Sequence, residues 1–177
     1  MTISAAPAFN APIPFSEPQK PTSLPLTDQD VFEILTLRTA LERLAIELGV
    51  PVRFPDRLKD AQEALGEMEH CADAEDRGSL VQAGYRFHAS LIALAGHRRL
   101  EEAYASVQQQ LLLCMARNLY AREHFYEDLH EQGRHRTLLE LVEAGDPAAV
   151  LAELAVHGER SFSDLQSNAG SRSARDL

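Results

Sequence analysis

The sequence predicts an all-α protein, an antiparallel bundle of six to seven helices. Three observations carry that expectation. From Thr27 onward apolar residues recur at spacings of three and four, no stretch alternates in the manner of a strand, and glycine and proline punctuate the pattern at helix-length intervals.

Six of the nine prolines (Pro7, Pro12, Pro14, Pro18, Pro21 and Pro25) fall within residues 1–26. Proline fixes φ and turns its predecessor away from helical geometry, so 1–26 is expected to be an extended arm. Thr27 with Asp30 then resembles a capping box, opening a helix through Val31, Ile34, Leu35, Leu41, Leu44, Ala45 and Leu48 that Gly49 closes. Pro55 begins a second helix through Leu58, Ala61, Leu65 and Met68. A third is expected over about 76–95, with Leu80, Phe87, Leu91, Ile92 and Leu94 inward and Gly96 as its stop. A long fourth helix is expected from about Arg99 to Arg122, through Leu100, Tyr104, Val107, Leu111 and Met115. A fifth runs from about Tyr126 to Ala144. Asp146-Pro147 then supplies an N-cap and an N1 proline for a sixth, through Val150, Leu151, Leu154 and Phe162. The helical domain thus covers 27–165, and the small polar residues of 166–177 read as a tail.

Composition narrows the function. The chain has 177 residues, enough for one domain, and 17 Lys+Arg against 27 Asp+Glu give a net charge of −10. That balance argues against the chain gripping duplex DNA by itself, because phosphate binding needs clustered cations. No apolar run reaches the roughly 18 residues of a membrane span. The N-terminus has neither the basic nor the apolar region of a secretory signal. Two cysteines, Cys71 and Cys114, are too few to staple the fold, so a cytoplasmic setting is expected.

No phosphate loop, paired-cysteine motif or nucleophile elbow is present, and the chemistry left is histidine. His70, His97, His124 and His130 fall near helix ends or on polar stretches and read as surface. His88 shares a face with Leu80, Leu91, Ile92 and Ala95; His135 lies with Leu138, Leu139 and Val142; His157 follows Val150 and Leu154. Each of three helices therefore turns one imidazole inward. A buried imidazole needs hydrogen-bond partners, and a shared divalent metal would meet that need for all three at once. Spacing alone leaves this open beside the plainer reading of three separately satisfied core histidines.

The residues then resemble a known family. Asp30-Val31-Phe32-Glu33-Ile34 with Leu37-Arg38-Thr39-Ala40-Leu41-Glu42, Phe87-His88-Ala89-Ser90-Leu91, Ala95-Gly96-His97-Arg98-Arg99-Leu100, His135, Glu143-Ala144-Gly145-Asp146 and His157 stand in the order found in the FCD domain. That domain is the C-terminal effector-binding part of FadR-type regulators in the GntR family. The resemblance covers about residues 28–165, and the intervals of 47 and 22 residues between the three histidines suit it. It implies a helical bundle around a divalent metal, zinc first, and a small anionic metabolite such as an organic acid. It also implies a homodimer. The metal ligands would be His88, His135 and His157, joined in many members by an aspartate four residues before the first histidine. Here that position is Gly84. Three readings follow: a three-histidine zinc site completed by water or ligand, a histidine-lined anion pocket without metal, or room made for a bulky ligand.

Arg38, Arg117 and Tyr85 are the candidate ligand-binding residues. A guanidinium near the core can clamp a carboxylate, although Arg38 with Glu42 could be no more than a local helical pair. Complete regulators of this kind carry an N-terminal winged helix-turn-helix. The 26 residues ahead of the helices hold one lysine, Lys20, and no arginine, so no DNA-reading element is expected in them. The competing reading is a metal-dependent hydrolase or lyase using the three histidines, for which Glu42 is the best general-base candidate and a weak one.

Overall fold

The computed structural model describes residues 26–122 and 130–157, with side chains described outside 118–132. The helices are α1 (Asp28–Gly49), α2 (Asp56–Asp73), α3 (Arg77–Ala93), α4 (Arg98–Ser106), α5 (Gln108–Arg122) and α6 (His130–Ala144), followed by helix α7 over 147–157. No strand occurs among the described residues. No helix there is long and apolar enough to cross a membrane.

The helix starts follow local chemistry. At α1 the Thr27 hydroxyl accepts from the Asp30 amide at 3.1 Å, and the Asp30 carboxylate accepts from the Thr27 amide at 2.8 Å, completing the capping box. Asp76 caps α3 through the Ser79 amide, and Asp146 caps α7 through the amides of Ala148 and Ala149. The exposed His97 caps α4, its Nδ1 accepting from the Leu100 amide at 3.2 Å. Gly96 has φ +61°, and the guanidinium of Arg57 from α2 lies against it while bonding the Ala93 carbonyl at the end of α3.

α3 is the centre of the bundle, packed against α1, α2, α4 and α5, while α6 lies on α2. The main core joins Ile46, Leu65, Phe87, Leu91, Leu138, Val142, Val150 and Leu154, drawn from all the helices except α4 and α5. A second cluster around Tyr85, Ile92, Tyr104 and Leu111 ties those two helices to α3. Cys114 is fully buried beside Val31 and Leu35.

Two expectations need correction. The single helix over 99–122 is two helices, broken at Val107, whose φ of −106° and ψ of 12° leave helical geometry. The inward face of α1 is the expected one at Val31, Leu35 and Ala45, with Ile34 and Leu41 half-buried, but Leu44 and Leu48 turn outward. Leu37, Leu44 and Leu48 stand 44%, 42% and 45% exposed, and the buried stripe is Val31, Leu35, Arg38, Glu42, Ala45, Ile46 and Gly49. The expected fifth helix start near Tyr126, with His124, Phe162 and the proposed arm and tail, lies outside the described residues.

Candidate metal and ligand centre

Four helices bring polar side chains to one buried point. α3 contributes His88, α6 His135 and α7 His157, exposed by 0%, 3% and 9%. One ligand nitrogen from each lies within 4.8 Å of the others. The Nε2 atoms of His88 and His135 are 3.2 Å apart, and the His135 and His157 ring centres 4.9 Å apart. Phe87 stands edge-on to both His88 and His135, with ring centres at 5.5 and 5.1 Å, and closes that side with hydrocarbon.

The donor set suits a divalent cation. Metals take neutral imidazole, and burial, followed by the neighbouring His135 and His88, holds His157 well below the ordinary imidazole range. Nitrogens sharing a tetrahedral ion with bonds of about 2.0–2.1 Å are separated by about 3.4 Å, close to the spacing of His88 and His135. Position 84 supplies no donor. A Cβ there would come within 2.8 Å of the Met115 methyl and 3.8 Å of the Met68 methyl, so two thioether side chains line that approach.

α1 adds the charged part of the centre. Arg38 and Glu42 are buried, and the Glu42 Oε1 accepts from Arg38 Nε at 2.7 Å. The same oxygen lies 3.0 Å from His88 Nδ1, a bent contact at hydrogen-bonding separation. Burial alone would raise the Glu42 pKa, but the Arg38 guanidinium and then His88 outweigh it and bring it to about 2. A carboxylate so firmly ionised and doubly engaged is a poor general base. Burial likewise opposes the Arg38 charge, and the Glu42 carboxylate more than restores it. Arg38 Nη2 is buried without a hydrogen-bond partner, and the Tyr104 hydroxyl, also buried, faces the Glu42 carboxylate without a well-formed hydrogen bond. Burial first, and then the Glu42 charge, push the Tyr104 phenol well above its usual range, so it keeps its proton and can donate.

The sequence candidates therefore separate. His88, His135 and His157 converge, with Arg38 joined to them through Glu42. Tyr85 is buried and stacks on Tyr104, ring centres 5.6 Å apart, at the wall of the same region. Arg117 lies elsewhere: its guanidinium bonds the Leu26 carbonyl at 3.2 Å and the Asp28 carboxylate, tying α5 to the start of α1. Sequence reasoning places Tyr104 among packing residues and overlooks its hydroxyl. A tyrosine at an apolar helix position gives no sign of where its oxygen ends.

Comparison with known proteins supplies the family and the fold. Residues 33–160 match the family described as the FCD domain. Over 133 residues the chain is 26% identical to YdhC of Bacillus subtilis (strain 168), named as an uncharacterized HTH-type transcriptional regulator. That match takes in 75% of this chain and 58% of YdhC, so the chain spans less than two thirds of that relative's length. Among solved structures, a GntR transcriptional regulator from Rhodococcus sp. RHA1 superposes with a TM-score of 0.69 at 21% identity, covering 80% of this chain and 66% of that one. A GntR family member from Pseudomonas syringae pv. tomato str. DC3000 gives 0.67 at 23%, covering 86% and 62%. E. coli McbR/YncC gives 0.62 at 19%, covering 81% and 67%. At these identities the structural likeness is one of fold.

Proposed function

The chain belongs to the FCD domain family, and from that premise we propose that it is the effector-binding part of a cytoplasmic GntR-type transcription regulator. In this reading His88, His135 and His157 hold a divalent ion, zinc first, and a small organic acid binds beside it. The observation that carries the reading is the meeting of three buried imidazoles from three helices, next to a buried arginine with a donor to spare.

The bound ion would supply a Lewis-acidic anchor for an oxygen of the ligand. The chain's own residues do the rest. Arg38 Nη2 offers a charge-assisted hydrogen bond to a carboxylate, and the Tyr104 hydroxyl offers a second, neutral one. Tyr85, stacked on Tyr104, keeps that ring in place and walls the region with hydrocarbon. Because α1 carries Arg38 and α3 carries His88, a ligand touching both biases the relative placement of those helices, as an effector must do to shift a conformational equilibrium. DNA contact is assigned to other parts of such a regulator, since the chain's net charge of −10 opposes it.

Metal content after purification without added metal tests this directly. Wild type should retain close to one ion per chain, His135→Ala should retain none, and the exposed His70→Ala should match wild type. A chelator should lower the wild-type melting temperature by several degrees, because an ion bound only to the native state adds its binding free energy to stability. That sensitivity should vanish in His135→Ala. Near-zero metal in all three proteins, even after incubation with zinc, would leave the histidine-lined anion pocket as the better account.

A further inference from the structure

Glu42 and Arg38 form a salt bridge where the fold has little reason to place one. Buried ion pairs are often no more stabilising than apolar residues of similar volume, because both charges must leave water. Pairs four residues apart on a helix ordinarily lie in solvent, where the desolvation penalty is small. Here both side chains are more than nine-tenths buried. Their geometry is also specific, since a single oxygen, Glu42 Oε1, meets Arg38 Nε at 2.7 Å and His88 Nδ1 at 3.0 Å. α1 carries none of the three histidines, yet it delivers this carboxylate to the outer nitrogen of one of them.

We infer that Glu42 is a positioning residue for the histidine centre: held by Arg38, it takes the Nδ1–H of His88 and fixes the ring with its Nε2 lone pair toward His135 and His157. A neutral imidazole has one N–H, and whichever nitrogen donates it leaves the other as the electron-pair donor. With the proton held at Nδ1, the nitrogen 3.2 Å from His135 Nε2 has a lone pair to offer. A cation is matched by that lone pair, whereas an anion would need an N–H there. Glu42 thus selects the charge sign of the occupant, which an isolated trio of histidines would not do. The carboxylate is also a more basic partner than a carbonyl, and such outer partners strengthen the ligating nitrogen. This inference rests on the reading of the three histidines as a cation site, and it adds the residue that makes the site one.

Two measurements separate the positioning contact from the cation site. Long-range nitrogen–proton NMR of chelator-treated wild type should show the His88 ring as the Nδ1–H tautomer, a signature independent of any metal. Glu42→Gln keeps an oxygen able to accept from both Arg38 and His88; it should keep that tautomer and lose less than tenfold in affinity for Co²⁺, titrated as a coloured probe. The double variant Arg38→Met with Glu42→Leu removes both charges, so no buried ion is left alone. It should lose the fixed tautomer and bind Co²⁺ 10- to 100-fold more weakly. An Nε2–H tautomer in wild type would overturn the inference, as would an unchanged tautomer and Co²⁺ affinity in a folded double variant. If the double variant fails to fold, the wild-type and Glu42→Gln tautomers still decide. Absence of Co²⁺ binding in wild type with the Nδ1–H tautomer present would sink the cation reading and leave the positioning contact standing.

Discussion

At the scale of single residues, the centre is set by which side chains occupy the inner stripe of α1, one turn of α3 and one inward position each on α6 and α7. The three histidines are legible in the sequence because each sits at helical offsets from aliphatic residues. Glu42 is harder to place. α1 carries two candidate stripes, and the leucines at 37, 41, 44 and 48 make the outer one look more apolar than the inner one containing Arg38 and Glu42. Tertiary packing selects the polar stripe, which a hydrophobic count cannot anticipate. Position 84 yields a prediction at this scale. Its nearest obstacle is the far end of Met115, a flexible side chain, so Gly84→Asp should be accommodated by a shift of that methyl group. On the metal reading, the new carboxylate should tighten ion retention against a chelator by at least tenfold while weakening any ligand that competes for the same coordination position. Paired chelator titrations of the variant and wild type check this. Equal retention would show that the turn before His88 does not reach the ion.

At the scale of elements, the caps at Thr27 and Asp146 are legible in the sequence, while the cap by His97 and the break between α4 and α5 are not. Val107 is the one residue between the two helices, and its amide still bonds the Tyr104 carbonyl while its own carbonyl accepts from Leu111. Apolar spacing through Tyr104, Val107 and Leu111 therefore continues almost in phase, and no glycine or proline marks the bend. The crossing of α1 and α3 is set by a close approach instead. A Cβ on Gly49 would lie 2.7 Å from the Leu94 carbonyl carbon and 2.8 Å from the Ala95 nitrogen, both backbone atoms that cannot swing aside. Gly49→Ala should therefore destabilise by about 1–2 kcal/mol, the overpacking strain exceeding the gain in helix propensity. Gly66, exposed within α2, has nothing within 4 Å of the point where an added methyl group would stand, and Gly66→Ala should stabilise by about 1 kcal/mol. Urea unfolding of both variants gives the opposite signs to compare. A stabilised Gly49→Ala would mean that the two helices move apart freely.

At the scale of the whole molecule, the outer leucines of α1 bear on assembly. Leu37, Leu41, Leu44 and Leu48 follow spacings of four, three and four, the seam by which a helix packs along a copy of itself. With three of them more than two-fifths exposed, this ridge supports the proposed homodimer. Light scattering should show a dimer at micromolar concentration, and Leu44→Glu should shift it toward monomer without altering metal content. A wild-type monomer across that range would remove the proposal. The position of α3 bears on something else, the order in which the molecule opens. The stretch of α3 from Ala83 to Ile92, buried among α1, α2, α4 and α5, exposes its amides to deuterated solvent only when the unit as a whole unfolds, whereas its exposed first turns and the ends of outer helices open locally. Hydrogen exchange along this buried stretch should therefore report global stability. Because His88 lies in that stretch, an effector or ion bound at the centre would register as protection from Ala83 to Ile92, including turns that touch neither.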